Sequence, residues 1–307
     1  MSGTKIQRRG GPQPLTEAEA GAVLGLAATA ARADGAPPLS EQFRLSVEAR
    51  EAGEVLHLLA VDASGEVVGY AQSRPGPQGE PPSAELVVLP GARRRGVGSM
   101  LLRELPPGVR IWSHADSGAA VAFARALRLV AVRSLHVMGR ALTSGAPWPR
   151  AVVPEAYAVR TFQRARDEDE WLRINAAAFA GHPEQGSLTR ADLEQRMAQP
   201  WFDPEGFILV VERADPDRVV AFHWTKVDPP EGSTGEVYVV GVSPDHQGEG
   251  LGRAVTILGL DLLRSRGLRD VILYVDEENV PAVRTYRALG FESLEVHRQY
   301  TAGGPDA

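Results

Sequence analysis

The chain has 307 residues, enough for about two domains of ordinary size, each able to bury its own core. Its net charge of −6 argues against general nucleic-acid binding, and the absence of cysteine excludes disulfides, thiolate metal sites and a cysteine nucleophile. No apolar run approaches the roughly 20 residues of a membrane span, and residues 1–10 lack the apolar core of a signal peptide, so a cytoplasmic enzyme is expected.

In chain order, residues 16–32 and 40–52 read as helices, with Thr16 and Ser40 as N-caps and acids in the first turn. Strands follow at 55–62, 67–74 and 84–89, with Ser64-Gly65 as a hairpin turn. Next come a Gly-bearing loop, Arg93-Arg94-Arg95-Gly96-Val97-Gly98, a helix from Gly98, a strand at 109–114, a helix from Gly118 and a strand at 130–138. The Pro-bearing stretch 142–154 has neither helical nor strand periodicity and reads as a linker between domains at 1–141 and 155–307.

The second half repeats the first. A strand at 157–162, helices at 167–179 and 189–197, and strands at 207–212, 219–227 and 236–242 lead to Gln247-Gly248-Glu249-Gly250-Leu251-Gly252. A helix at 252–265, a strand at 271–275, a helix at 280–289 and a strand at 293–300 complete it. Pro90 and Pro244, like Gly96 and Gly250, lie 154 positions apart, and Arg125-Ala-Leu recurs 162 positions on as Arg287-Ala-Leu. A repeat of half the chain means two similar domains, because solenoid periods are far shorter. The expected class is α/β, an α+β mixed sheet with helices on both faces, built twice in tandem.

A strand that enters a Gly-rich turn and then a helix offers unpaired backbone N–H groups to an anion, and Gly250 and Gly252 remove the Cβ atoms that would keep a pyrophosphate away. The spelling is not the dinucleotide G-x-G-x-x-G, and no G-K-[ST] occurs. Q/R-x-x-G-x-G/A resembles the acetyl-CoA loop of the GCN5-related N-acetyltransferases (GNAT proteins), and the element order resembles that fold over nearly the whole chain, twice. Acetyl transfer to an amine needs a base, an oxyanion donor and an acid for the leaving thiolate. At the positions where that fold carries them stand Glu236 as general base and Tyr286 as general acid. A bulge near Val242 would splay the strand and free a backbone N–H for the oxyanion. The bland readings are a solvated strand end for Glu236 and a packing aromatic for Tyr286.

At the 154 offset Glu236 falls on Pro82, and at the 162 offset Tyr286 falls on Ala124 and Arg284 on Ala122, so the first half is read as non-catalytic. Glu85 lies three residues late and would face the other way. His57, His114 and His136 read as packing residues in strands, and no histidine spacing implies a metal. Lys5 and Lys226 are the only lysines, which makes Lys226, within a strand pattern, stand out.

Tyr238-Val-Val-Gly-Val-Ser-Pro244, Leu273-Tyr-Val275, Asn279-Val-Pro-Ala-Val-Arg-Thr-Tyr286 and Phe179-Ala-Gly-His-Pro-Glu-Gln-Gly186 together resemble the mycothiol synthase family, a tandem GNAT group. The resemblance implies acetylation of the cysteinyl amine of a cysteinyl-glucosaminyl-inositol by acetyl-CoA, the last step of mycothiol biosynthesis, in actinobacteria. It implies cofactor contacts at Val240, Gly241 and Val242; at Gln247, Gly248, Glu249, Gly250, Leu251, Gly252 and Arg253; and at Asn279, Val280, Pro281, Ala282, Val283 and Arg284. In the first half the matching residues are Leu86, Val87 and Val88, then Arg94, Arg95, Gly96, Val97, Gly98 and Ser99. It places substrate contacts at Glu41, Glu184, Lys226, Tyr274 and Glu236. Pro281 is a possible departure from the pattern, and Pro is tolerated in a first helical turn. A monomer acting on a small amino-sugar and inositol molecule is expected, with no metal, nucleic acid or membrane partner. Two other readings stay open: an acetyltransferase for a peptide N-terminus or an aminoglycoside, and a non-catalytic acetyl-CoA sensor or scaffold.

Overall fold

The computed structural model describes residues 3–50, 53–76, 79–115, 118–144, 147–181, 185–228 and 232–303. The first half runs β1 (Lys5–Gly11), α1 (Glu17–Asp34), α2 (Glu41–Ala49), β2 (Gly53–Val61), β3 (Val67–Arg74), β4 (Ser83–Val88), α3 (Val97–Glu104), β5 (Arg110–Ser113), α4 (Gly118–Ala126) and β6 (Leu129–Ala141). The second runs β7 (Tyr157–Thr161), α5 (Glu168–Ala178), α6 (Arg190–Met197), β8 (Phe207–Glu212), β9 (Val219–Lys226), β10 (Thr234–Val242), α7 (Leu251–Ser265), β11 (Asp270–Asp276), α8 (Val280–Ala288) and β12 (Glu292–Ala302). The mixed α/β class and the repeated element order are as the sequence indicates. Thr16 closes a reciprocal capping box with Glu19 at the start of α1, and Thr189 does so with Asp192 at α6. Ser40 stands at the N-cap of α2 but makes no side-chain cap; its N–H donates to Glu85 Oε2 at 2.8 Å.

β1 has no counterpart in the sequence reading, because Lys-Ile-Gln-Arg-Arg-Gly-Gly carries no apolar alternation. It pairs antiparallel with β2, and its charged side chains suit a sheet edge.

Two compact units emerge, Met1–Leu135 with Glu295–Ala307, and His136–Leu294. The first-half/second-half division at 142–154 does not follow these lines. Most of β12 belongs with the first unit because Arg298, Gln299 and Tyr300 pair antiparallel with Ser113, Trp112 and Ile111 of β5. The strand order of the first unit is β1-β2-β3-β4-β5-β12, and that of the second is β11-β10-β9-β8-β7, next to the end of β6.

Each sheet is covered on both faces. In the first unit Leu15, Val23, Leu26 and Phe43 of the α1–α2 layer pack with Tyr70 and Val87, while Val97 and Leu101 of α3 pack with Leu58, Ala71 and Ala84 on the other face. In the second, Trp171, Ile174, Leu193 and Trp201 from the α5–α6 side enclose Phe207, Phe222 and Trp224. Leu251, Val255, Ile257 and Leu260 of α7 cover the opposite face. No helix among the described residues is long and apolar enough to cross a membrane.

α7 lies close over β9 because Gly259 offers no Cβ where His223 stands. His223 is fully buried, its Nδ1 is 3.0 Å from the Val255 carbonyl oxygen, and burial pushes its pKa down from 6.5 to about 4 against the smaller opposing effect of that hydrogen bond. Between these two values the unfolded chain binds more protons than the folded one. Stability is therefore complete above the unfolded value and falls as pH drops through this window, by about 3 kcal/mol. Urea midpoints measured from pH 7 to pH 4 should show this loss, and His223→Gln should flatten that part of the profile even if it lowers stability throughout.

Candidate active site

β10 carries Glu236 and is the strand that organises the second unit. Its antiparallel register with β9 shifts between Val237 and Val239, so Tyr238 is the extra residue of a β-bulge. The bulge expected near Val242 thus lies four residues earlier. Its consequence is visible on the other side, where the parallel ladder with β11 runs from Thr234–Asp270 to Val237–Leu273 and then stops. From Tyr238 onward β10 parts from β11 on its way to Val240, Gly241, Val242 and the loop beyond.

That loop passes through a 3-10 turn at Pro244–His246 into α7, whose N-cap is Gly250 at φ 80°. Gly248 also has a positive φ, 87°. Backbone N–H groups therefore face outward at the positive end of a 15-residue helix. Gly252 has an ordinary backbone; a Cβ there would touch Val242 Cγ2 at 3.4 Å. Asn279 caps α8 by accepting from Ala282 N at 3.3 Å, and Pro281 sits in the first turn without disruption.

Three candidate polar residues share one sheet face. Glu236 lies directly across from Lys226 of β9 and beside Ile272 of β11. Tyr274, two residues past Ile272, is on that face and 46% exposed. Val271, Leu273 and Val275 point the other way, into the core under α7 and α8. Lys226 is not a strand end with its head in water: it is buried, 3.5 Å from Asp228, with Nζ 5.1 Å from the Trp201 ring centroid and 5.6 Å from that of Tyr238. The Tyr238 hydroxyl accepts from Arg196 Nε at 2.9 Å. Trp201, Arg196 and Tyr238 thus form the wall around Lys226. The sequence reading did not single them out, since nothing in linear spacing joins them. Tyr286 is half-buried on α8, 5.7 Å from Phe291, and burial pushes its pKa up to about 12. Glu184 lies outside the described residues. Glu41 opens α2 in the first unit.

The first unit repeats the loop at the level of the backbone. Gly96 caps α3 at φ 84°, and Arg94, equivalent to Gly248, holds φ 62°. A cavity of about 830 Å³ opens here, lined by Leu86, Val87, Val88, Arg94, Gly96, Val97, Gly98 and Ser99 of the expected cofactor residues, with Arg95 outside it. Ala122 and Ala124 line it where α8 carries Arg284 and Tyr286, and these short side chains leave the room.

β4 has no bulge, so its strand mates correct the sequence offset. Val88 pairs with Gly69 as Val242 pairs with Ala221, which sets Ser83, across from Arg74, in the place of Glu236 across from Lys226. Glu85 is then two residues on and faces the same way. It is 1% exposed and fully engaged: Ser40 N donates to Oε2, and His114 Nε2 lies 2.7 Å from Oε1. His114 Nδ1 is 3.3 Å from His297 Nδ1, and His297 Nε2 is 2.6 Å from Glu295 Oε1. His114 is thus one link of a polar chain, which its strand pattern did not reveal. His57 too has a specific partner, with Nδ1 2.6 Å from the Tyr70 hydroxyl.

A mixed sheet with a glycine loop at a helix N-terminus, built twice, defines a tandem acyl-CoA-type transferase fold. The sequence profile of the acetyltransferase (GNAT) family matches residues 26–105 and 168–291. The chain is 47% identical over 295 residues to the mycothiol acetyltransferase of Thermomonospora curvata, covering 95% of this chain and 96% of that one. It is 48% identical to that of Thermobispora bispora, covering 91% and 94%. A solved GCN5-related N-acetyltransferase from Sphaerobacter thermophilus superposes with a TM-score of 0.64 at 25% identity, over 96% of this chain and 94% of that one. A tandem GNAT protein from the clavulanic acid biosynthesis pathway shares the fold, with a TM-score of 0.69 at 21% identity over 98% and 100%. The chain belongs to the acetyltransferase (GNAT) family and, within it, to the tandem mycothiol acetyltransferases. It is an acetyl-transferring enzyme, and its family takes acetyl-CoA as co-substrate.

Proposed function

We propose that this enzyme acetylates the cysteinyl amine of a cysteinyl-glucosaminyl-inositol in the last step of mycothiol biosynthesis, in the cytoplasm, with the chemistry in the second unit. The observation that carries this reading is the gathering of Glu236, Lys226 and Tyr274 on one sheet face, where β10 parts from β11, in a chain nearly half identical to mycothiol acetyltransferases. Acetyl-CoA lies along β10 where it parts from β11, its pyrophosphate on the N–H groups of Gln247 to Arg253, with Asn279 to Arg284 as further contacts. Glu236 removes a proton from the substrate ammonium, directly or through water. The amine attacks the thioester carbonyl, and a β10 backbone N–H freed by the splay holds the oxyanion. The C–S bond then breaks, the thiolate takes the phenolic proton of Tyr286, and the surplus proton on the new amide nitrogen returns to the tyrosinate through water. A phenol whose pKa is raised to about 12 is fully protonated at neutral pH, as an acid must be. Lys226 and Tyr274 offer hydrogen bonds to the sugar and inositol hydroxyls, and the family resemblance adds Glu184 to these contacts.

The first unit binds CoA through Leu86 to Val88 and Arg94 to Ser99 but performs no transfer. Ser83 replaces the base, Ala124 the acid, and Glu85 is committed to Ser40 and His114. The direct test is kcat/KM for the cysteinyl glycoside against a peptide N-terminus and an aminoglycoside. A site built to hydrogen-bond the inositol should prefer the glycoside by at least about 100-fold. Equal or better use of either competitor would redirect the assignment.

Tyr286→Phe should slow transfer with little change in KM for acetyl-CoA. The defect should shrink with an acetyl donor whose thiol has a lower pKa, because that thiolate leaves with less need of a proton. An equal loss with both donors would make Tyr286 a packing residue.

A further inference from the structure

The second loop has a feature that its role does not call for: a carboxylate, Glu249, in the middle of a segment that receives a doubly charged pyrophosphate. At the matching place 154 positions earlier the first loop has Arg95. A free Glu249 side chain over the N–H groups of Gly248 to Gly252 would repel the cofactor and compete for its donors. The structure shows where it goes instead. The hydroxyl of Tyr157, the first residue of β7, donates to Glu249 Oε2 at 2.5 Å. His246 Nδ1 lies 3.0 Å from the same hydroxyl and 3.5 Å from Glu249 Oε1, and its ring meets the Tyr157 ring edge-on at 5.8 Å. On its far side His246 Nε2 is 3.7 Å from Glu212 Oε1.

We propose that Tyr157, with His246, is a positioning residue for the acetyl-CoA site: it holds the Glu249 carboxylate against β7 and keeps the pyrophosphate loop open to its anion. The inference rests on the reading of Gln247 to Arg253 as the pyrophosphate loop. Tyr157 itself is buried, and the bond to Glu249, with burial, pushes its phenol up to about 12, so it stays a donor at every working pH. The arrangement also fixes the loop's shape. Glu249 precedes the Gly250 cap directly, so tying its side chain to β7 restrains the turn into α7.

The experiment compares the wild type, Tyr157→Phe and the double variant Tyr157→Phe/Glu249→Gln in steady-state acetylation of the cysteinyl glycoside. Each is run with acetyl-CoA and with S-acetylpantetheine, a donor without pyrophosphate. One released charge near the anion is worth about tenfold in affinity. Tyr157→Phe should therefore raise KM for acetyl-CoA about tenfold with kcat nearly unchanged, and leave KM for S-acetylpantetheine as in the wild type. Removing the charge in the double variant should bring KM for acetyl-CoA back to within about threefold of the wild type. An unchanged KM for acetyl-CoA in Tyr157→Phe, an equal rise for both donors, or no recovery in the double variant would each overturn the proposal. A wild type that uses both donors with the same KM would instead refute the pyrophosphate-loop reading on which it rests.

Discussion

Glu236→Gln is expected to lower turnover at neutral pH by about 10² to 10⁴, the range for loss of a general base. KM for acetyl-CoA should hardly move, because the proposed cofactor loop is residues 247–253 and not the strand start. The substitution keeps the shape and hydrogen-bonding reach of the side chain, so the cross-strand place beside Lys226 stays filled. Part of the loss should be recovered at high pH, where more of the amine is already unprotonated. Turnover near the wild-type value with both substrates saturating would remove Glu236 from the chemistry.

A substantial loss of stability is expected from Gly259→Ala. A Cβ at this position would overlap the buried His223 ring, and the ring cannot move without losing its bond to the Val255 carbonyl. Overpacking of this kind costs about 1–3 kcal/mol or more, partly offset by the roughly 1 kcal/mol that Ala gains over Gly within a helix. A net loss of about 2 kcal/mol is the expected result in urea unfolding. Gly25→Ala on α1 is the control, since nothing stands within 4 Å of a Cβ there, and it should stabilise by a few tenths to 1 kcal/mol. Combining Gly259→Ala with His223→Ala should cost less than the two single changes together. Strict additivity would mean that the close approach of α7 to β9 is not what Gly259 serves.

Most of the architecture was legible because its signals are local. Thr16 and Thr189 announce their helices by capping boxes, β8 is almost wholly an apolar run and β9 opens on one, and two glycine loops 154 residues apart declare the repeat. The glycines at Gly96 and Gly250 stand where a left-handed cap requires them. What failed depends on partners far away in sequence. β1 exists because β2 offers it an edge. β12 joins the first unit because β5 pairs with it, and the Pro-bearing stretch gave no hint of that exchange. The bulge was expected from the need for a splay, yet its place at Tyr238 is set by the pairing with β9. That one extra residue also misled the sequence offset, which set Pro82 in place of Ser83 and turned Glu85 to the wrong face. In the site, Glu236 and Lys226 could be singled out by type and strand position. The Trp201–Arg196–Tyr238 wall and the Tyr157–Glu249–His246 contact could not, because each joins elements separated by dozens of residues.

The central claim is that two units with the same loop divide their roles, with chemistry only in the second. It is tested most directly by steady-state acetylation of the cysteinyl glycoside by Gly250→Trp and Gly96→Trp, each checked for folding by its melting temperature with and without CoA. Gly250→Trp should abolish activity, since a bulky residue at φ 80° both strains the α7 cap and blocks the pyrophosphate. Gly96→Trp should keep activity within a few-fold of the wild type and lose only the extra thermal stabilisation that CoA bound in the first cavity gives. Complete loss of activity from Gly96→Trp in a protein that remains folded would contradict the claim.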